Sequence, residues 1–248
     1  PYALTTDSPW VEELAVQTPT PLLIGVVLKG EDAIYNTISK ILPETGFQDN
    51  WYAKRILVPF GEYVPFPFKW IPGLRKLVGP VGSFKQGSEV KTFTVERKGN
   101  GLSPLKIGPL ICYEDIFPRL CRETALSGVD LFFVTTNDAW FGEEGCAEQH
   151  AAHSVLRAIE TQKPFLRCGN AGWSGWIDAK GNQREVLRDE SGSIYFAGAT
   201  LLDMNIKTAR VQKSTFYIQY GDWFVYLCML TTGFLSLVFF KKIKNKSN

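Results

Sequence analysis

The chain has 248 residues, with 27 Lys and Arg against 25 Asp and Glu, for a net charge of +2 at pH 7. That length suits one large core, and so even a charge balance gives no electrostatic footprint for nucleic acid. The 5 cysteines fall at irregular spacing that matches neither a zinc pattern nor a disulfide framework, and their odd number leaves at least one thiol unpaired within the chain.

Taken in order, residues 8–16 read as a capped helix with Pro9 at its first position. Residues 21–29 are a buried strand and 33–42 a second. A turn at 43–46 leads into a third strand over 51–58, with Lys54 near its start. A long loop rich in Pro, Gly and aromatics follows, from Pro59 to about Gly87. Its stretch 66–78 interleaves apolar residues with cations, which suits either a loop folded onto the core or a lid touching a bilayer. Residues 89–97 are a strand and Asn100-Gly101 a turn.

Residues 105–111 then form a short apolar strand, and from Ile116 to Leu126 the apolar residues fall at helical spacing until Gly128. Cys112 therefore sits where a strand end hands over to a helix. A thiol so placed is held by rigid backbone and lies near N–H groups that favour a thiolate and can bind an oxyanion. Taken alone, a cysteine of this kind is more often a small core residue; its neighbours in the sequence argue otherwise.

Residues 130–136 are another buried strand, running into Asn137-Asp-Ala-Trp-Phe-Gly142, and 147–162 read as a helix. Strands over 164–170, 174–178, 184–187 and 199–205 complete the domain. Strands that alternate with helices but also run in consecutive pairs imply an α/β fold of two mixed sheets covered by helices.

Residues 223–240 carry no charge and are followed at once by Lys241, Lys242, Lys244 and Lys246. Such a run is long enough to span a bilayer, and its basic tail is expected on the cytoplasmic side. The organisation expected is a catalytic domain over 1–220, a transmembrane helix over 221–240 and a basic tail over 241–248. Pro1 is neither an initiator Met nor the start of a signal peptide, so the chain is expected to begin inside a longer protein.

Two charged residues could serve a thiol at position 112. A lysine such as Lys54 can lower a thiol pKa and stabilise an oxyanion, and a carboxylate such as Glu62 can take a proton or orient the lysine. Each alone would pass for a solvated surface charge, and spacing does not show that they meet Cys112. His150 and His153 lie one helical turn apart, but no third ligand has suitable spacing, so no metal is expected and His150 is read as structural support for the site. Cys121, Cys146, Cys168 and Cys228 have no charge partner nearby in sequence and read as structural.

Together, Lys54 followed by Leu57-Val-Pro-Phe-Gly-Glu-Tyr-Val-Pro65, the Ile111-Cys-Tyr-Glu114 motif, Asn137-Asp-Ala-Trp-Phe-Gly142 and the Gln149-His150 helix resemble the apolipoprotein N-acyltransferases. These are the membrane-embedded branch of the nitrilase superfamily. The resemblance covers nearly the whole chain. It implies a nitrilase-like α-β-β-α sandwich, lacking its first strands, and a double displacement without a cofactor. In that reaction a cysteine takes an acyl chain from a phospholipid donor and passes it to the N-terminal amine of a diacylglyceryl-modified apolipoprotein.

On this resemblance Cys112 is the nucleophile, Lys54 the oxyanion-stabilising lysine and Glu62 a further essential carboxylate. Tyr113 and Glu114 support the oxyanion and the site, and Phe60 lines the lipid pocket. The family's general-base glutamate has no match here. Glu44 lies in a hairpin turn and Glu12 and Glu13 in a helix, so the base is expected before Pro1, together with the amino-terminal membrane helices. Losing a general base costs roughly 10²–10⁴-fold, so the fragment alone is expected to be nearly inactive. Two rival readings are a membrane-tethered nitrilase-like amidase and a catalytically dead lipid-binding module.

Overall fold

The computed structural model describes residues 20–30, 33–71, 84–97, 102–204 and 214–245, with isolated positions 13, 16, 17 and 206. The expected helix over 8–16 apart from positions 13 and 16, the whole of 72–83, the turn at Asn100-Gly101 and Lys246 lie outside the described residues.

Two sheets face each other. The first is antiparallel: β1 (Leu22–Lys29), β2 (Ile34–Leu42) and β3 (Gly46–Ala53), in that order. The second is mixed and runs β4 (Phe93–Val95), β5 (Leu105–Ile111), β6 (Leu131–Asn137), β7 (Phe165–Asn170), β8 (Gly175–Ile177) and β9 (Gln183–Arg184). Within it β5, β6 and β7 are parallel. Parallel neighbours need crossovers, and helices α1 (Pro118–Leu126) and α2 (Cys146–Thr161) provide them.

The period-two alternation of β6 shows how the layers are built. Phe132 and Val134 point into the helix layer with Leu120, Ala151 and Trp173, while Leu131 and Phe133 point between the sheets with Ile38 and Phe93. A strand buried on both faces must be apolar throughout, which is why Leu-Phe-Phe-Val reads as a continuous run. The ends of β5 and β6 lie side by side, Ile111 opposite Thr135, and both feed loops at the same edge. Ligand sites of parallel sheets gather at such carboxyl ends.

Five expectations change. The strand expected over 89–97 is confined to Phe93–Val95, and the one over 184–187 to Gln183–Arg184. The third strand covers Gly46–Ala53 rather than 51–58, so Lys54 follows a strand instead of opening one. Cys112 opens a 3-10 turn (Cys112–Ile116), and the α-helix starts only at Pro118. The strand expected over 199–205 is irregular at each of its described residues, 199–204.

After a short helix α3 (Phe216–Tyr220), helix α4 runs from Trp223 to Lys244. Its 22 residues give about 33 Å of length, enough for a hydrocarbon core of about 30 Å, and none of them is buried. It is the one helix among the described residues long and apolar enough to cross a membrane.

Candidate active site

Cys112 follows directly on β5 and has φ +53°, in the left-handed region that a residue with a Cβ adopts at a cost of about 1–3 kcal/mol. The conformation persists because the turn is tied from behind. Glu114, fully buried, accepts the backbone N–H of Ile111 at 2.7 Å, of Arg55 at 2.6 Å and of Ile56 at 3.1 Å. Its fourth donor is the Tyr52 hydroxyl at 2.9 Å. Burial pushes the Glu114 carboxyl up to about 7, against the pull of these donors and of the Lys54 charge. Glu114 thus stitches the turn after Cys112 to the segment leaving β3. The N–H groups of Arg55 and Ile56 are spent on it rather than on a neighbouring strand, and that is why β3 stops at Ala53.

Lys54 is 1% exposed, and its Nζ lies 2.8 Å from Glu62 Oε2 and 2.9 Å from Oε1. Glu62 also accepts Asn36 Nδ2 at 2.9 Å and the Val58 N–H at 2.8 Å. The loop doubles back to allow this. Phe60 takes φ +61°, its N–H reaches Tyr63 O at 2.7 Å, and the Glu62 N–H reaches Val58 O at 2.8 Å. Lys54 Nζ stands 5.0 Å from the centre of the Tyr113 ring, a cation–π distance. Tyr113 in turn donates its hydroxyl to Leu57 O at 2.6 Å. Burial raises the Tyr113 hydroxyl pKa, and the Glu62 charge raises it further. The buried ion pair therefore packs against the residue that follows Cys112.

The segment 84–88 holds this arrangement from outside. Phe84, Lys85 and Gly87 donate their N–H groups to Glu62 O, Ile34 O and Lys54 O at 3.0, 2.8 and 2.8 Å. Gly87 lies so close to the Ala53 carbonyl that a Cβ there would overlap it.

Phe60 is exposed and meets Phe68 edge-on, with ring centres 5.4 Å apart. Phe66, Trp70 and Ile71 are exposed beside it in the chain, and Trp140 and Phe141 are exposed in the loop after β6. Exposed aromatics in this number are unusual for a surface facing water alone.

Sequence spacing did not reveal a second buried charge cluster. Asp115 and Asp138, 0% and 1% exposed, face opposite nitrogens of His150: Nε2 to Asp115 Oδ1 at 3.0 Å, Nδ1 to Asp138 Oδ1 at 3.1 Å. Asp115 also pairs with the buried Arg167 guanidinium and accepts Ser154 Oγ at 2.5 Å. Thr136 Oγ1 donates to Asp138 at 2.9 Å. Asp138 and His150 lie in stretches the sequence singled out, but nothing in the sequence showed that they meet Asp115 and Arg167. His150 supports the turn, as read from the sequence, and among the described residues no group of side chains could hold a metal ion. Cys146, at the start of α2, has its thiol pKa raised by burial, then by Asp138 and by Cys112.

The chain matches the carbon-nitrogen hydrolase family over residues 8–214. It is 34% identical over 186 residues to an apolipoprotein N-acyltransferase of Geobacter metallireducens, covering 75% of this chain and 32% of that protein. A second apolipoprotein N-acyltransferase, from Thermotoga maritima, is 30% identical over 197 residues, 79% of this chain and 35% of its own length. The chain thus spans about a third of the length of these curated relatives. Among solved structures, a CN-hydrolase superfamily protein of Xanthomonas campestris superposes with TM-score 0.52 at 20% identity, over 76% of this chain and 67% of that one. An amidase of Nesterenkonia sp. superposes with TM-score 0.53 at 16% identity, over 72% and 61%.

Proposed function

Since the chain belongs to the carbon-nitrogen hydrolase family, we propose that it carries the catalytic cysteine of a lipoprotein N-acyltransferase. The Cys112 thiolate attacks an ester carbonyl of a phospholipid. The negative charge that develops on the carbonyl oxygen faces the Lys54 ammonium, worth about 2.7–4 kcal/mol where such a donor is pre-positioned. The tetrahedral intermediate expels the lysophospholipid alkoxide, which takes up a proton, and leaves an acyl thioester on Cys112. The free N-terminal amine of a diacylglyceryl-modified apolipoprotein then attacks the thioester. It loses a proton to a general base and expels the thiolate, closing the cycle. The base is proposed to be the glutamate that the family resemblance implies. Glu62 holds Lys54 in place, and Glu114 holds the turn.

The observation that carries a lipid substrate over a small amide is the exposure of Phe60, Phe66, Phe68 and Trp70 on the loop that carries Glu62, and of Trp140 and Phe141 on the loop after Asp138. An apolar helix that buries none of its surface in the domain supports the same choice. Helix α4 is proposed to span the bacterial inner membrane in a multi-pass protein, with Lys241 and Lys242 cytoplasmic and Cys112 on the periplasmic side. The amidase reading retains one support, the shared fold with a solved amidase.

The test uses the full-length protein with a labelled phospholipid and a synthetic peptide bearing a diacylglyceryl cysteine with a free amine. The reading predicts label on the peptide amine, abolished by Cys112→Ser. Peptide acylation that survives Cys112→Ser, or hydrolysis of small amides with no transfer, would overturn it.

A further inference from the structure

Both ring nitrogens of His150 face carboxylate oxygens, and ionised carboxylates only accept hydrogen bonds. A neutral imidazole would turn a lone pair towards one of them. The groups around the ring agree with this. From the turn after Cys112 comes Asp115, from the end of β6 Asp138, and from β7 Arg167, bonded to Asp115. Helix α2 itself adds the neutral Ser154, one turn after His150, and Cys146, one turn before it. Two anions and Arg167 leave this pocket one positive charge short, and a protonated His150 supplies it. An uncompensated buried charge costs several kcal/mol, on the order of 3–5 when a partner is removed.

The two carboxylates belong to different segments. Asp115 lies in the 3-10 turn that Cys112 opens, and Asp138 precedes a second 3-10 turn (Ala139–Phe141) that exposes Trp140 and Phe141. We propose that His150, as an imidazolium held between two buried carboxylates, is a positioning residue that locks the Cys112 turn to the aromatic Trp140–Phe141 segment. This deepens the acyltransferase reading, since it rests on Cys112 as the nucleophile. It also assigns the lock a condition: the His150 ring must carry its second proton. Burial alone would lower the pKa of this ring, but Asp115 and Asp138 outweigh it and push the value up to about 9. The lock is closed at neutral pH and opens in alkali.

The test needs no lipid, so its outcome is separate from that of the acyl-transfer assay. In the full-length protein, hydrogen exchange at imidazole C2, mapped by mass spectrometry, reads the titration of His150 directly. Alkylation of Cys112 by iodoacetamide, read from pH 7 to 10.5 in wild type and in His150→Gln, reports the aim of the sulfur. A nucleophile displaced by an ångström loses on the order of 10²-fold in a directed reaction, so a loss of about tenfold towards this small reagent is expected at pH 7. That ratio should collapse towards one above pH 9, as wild type loses the proton the variant never had. Asp138→Asn, which keeps shape and removes one carboxylate charge, should lower the His150 midpoint and reproduce the slower alkylation. It also serves as the readout if His150→Gln fails to fold. A purely structural histidine would give a ratio that does not change with pH. That result, or a His150 midpoint near the ordinary value of about 6.5, would overturn the proposal.

Discussion

Lys54 is a cation withdrawn from water, and its compensation lies in Glu62, eight positions further on, and in the face of Tyr113. Removing the lysine would leave Glu62 facing only Asn36 Nδ2 and the Val58 N–H. Lys54→Met should lower acyl transfer by at least about 10²-fold, the loss typical of one oxyanion donor. Lys54→Arg should recover little, since a planar guanidinium does not fit a slot built for a compact ammonium. Glu62→Gln keeps the shape but presents an amide N–H₂ to a set of donors, so a large drop in turnover with the fold intact is expected. Initial rates of thioester formation at Cys112, beside melting temperatures, check all three. Near-normal turnover in Glu62→Gln would reduce Glu62 to a loop residue. Lys54, Glu62 and Cys112 stood out as candidates because each sits in a short distinctive motif, and folding pairs the first two. The cluster of Asp115, Asp138, His150 and Arg167 did not, because its members come from four segments and only folding brings them together.

At the scale of elements, the sequence misled where side chains outbid a sheet for backbone groups. Residues 54–58 look like a strand by composition, yet the N–H groups of Arg55, Ile56 and Val58 go to carboxylates of Glu114 and Glu62. The helix after Cys112 is delayed because Ile116 and Phe117 must deliver the chain to Pro118, a residue suited to a first helical position. The 199–205 stretch was expected as a strand, but among the described residues no strand pairs with it and Leu201 is left almost wholly exposed. Elements with continuous apolar runs, such as β6, were legible throughout. Two predictions belong here. Gly87→Ala should destabilise the domain by about 1–3 kcal/mol, the cost of an overpacked contact, because its Cβ would force Ala53 and Lys54 to move; chemical denaturation measures it. The second is a pH dependence. His150 titrates at about 9 when folded, above the value of 6.5 for an unperturbed ring. Its stabilising contribution is therefore complete below 6.5 and is lost as pH rises through 9, a difference of roughly 3 kcal/mol at most. Glu114, raised to about 7, adds a loss of the same sign between its unperturbed 4.5 and about 7. Melting temperature should fall between pH 6 and pH 10, and His150→Gln should flatten the alkaline part of that fall. A wild-type melting temperature that rises over this range would contradict both assignments.

On the scale of the whole molecule, the domain exposes aromatics on two loops, Phe60 to Trp70 and Trp140 to Phe141, and carries a helix that it does not itself bury. Both features make physical sense if a bilayer covers them. A cysteine introduced at Ser247 should then resist a membrane-impermeant maleimide in intact cells and react once the membrane is opened. Efficient labelling in intact cells would invert the proposed topology. The long apolar helix could be read from sequence because length and lack of charge are local properties; the exposure of aromatics on loops some seventy residues apart could not, because it depends on how the chain folds. The proposed acyl-transfer cycle turns on a single covalent species. Full-length protein incubated with a phospholipid carrying an isotopically labelled acyl chain, then digested and mapped by mass spectrometry, should show a hydroxylamine-sensitive acyl group on Cys112 that disappears when the diacylglyceryl peptide is added. Acyl label on Cys146 or Cys168 instead, or a peptide acylated with no thioester ever formed on Cys112, would contradict it.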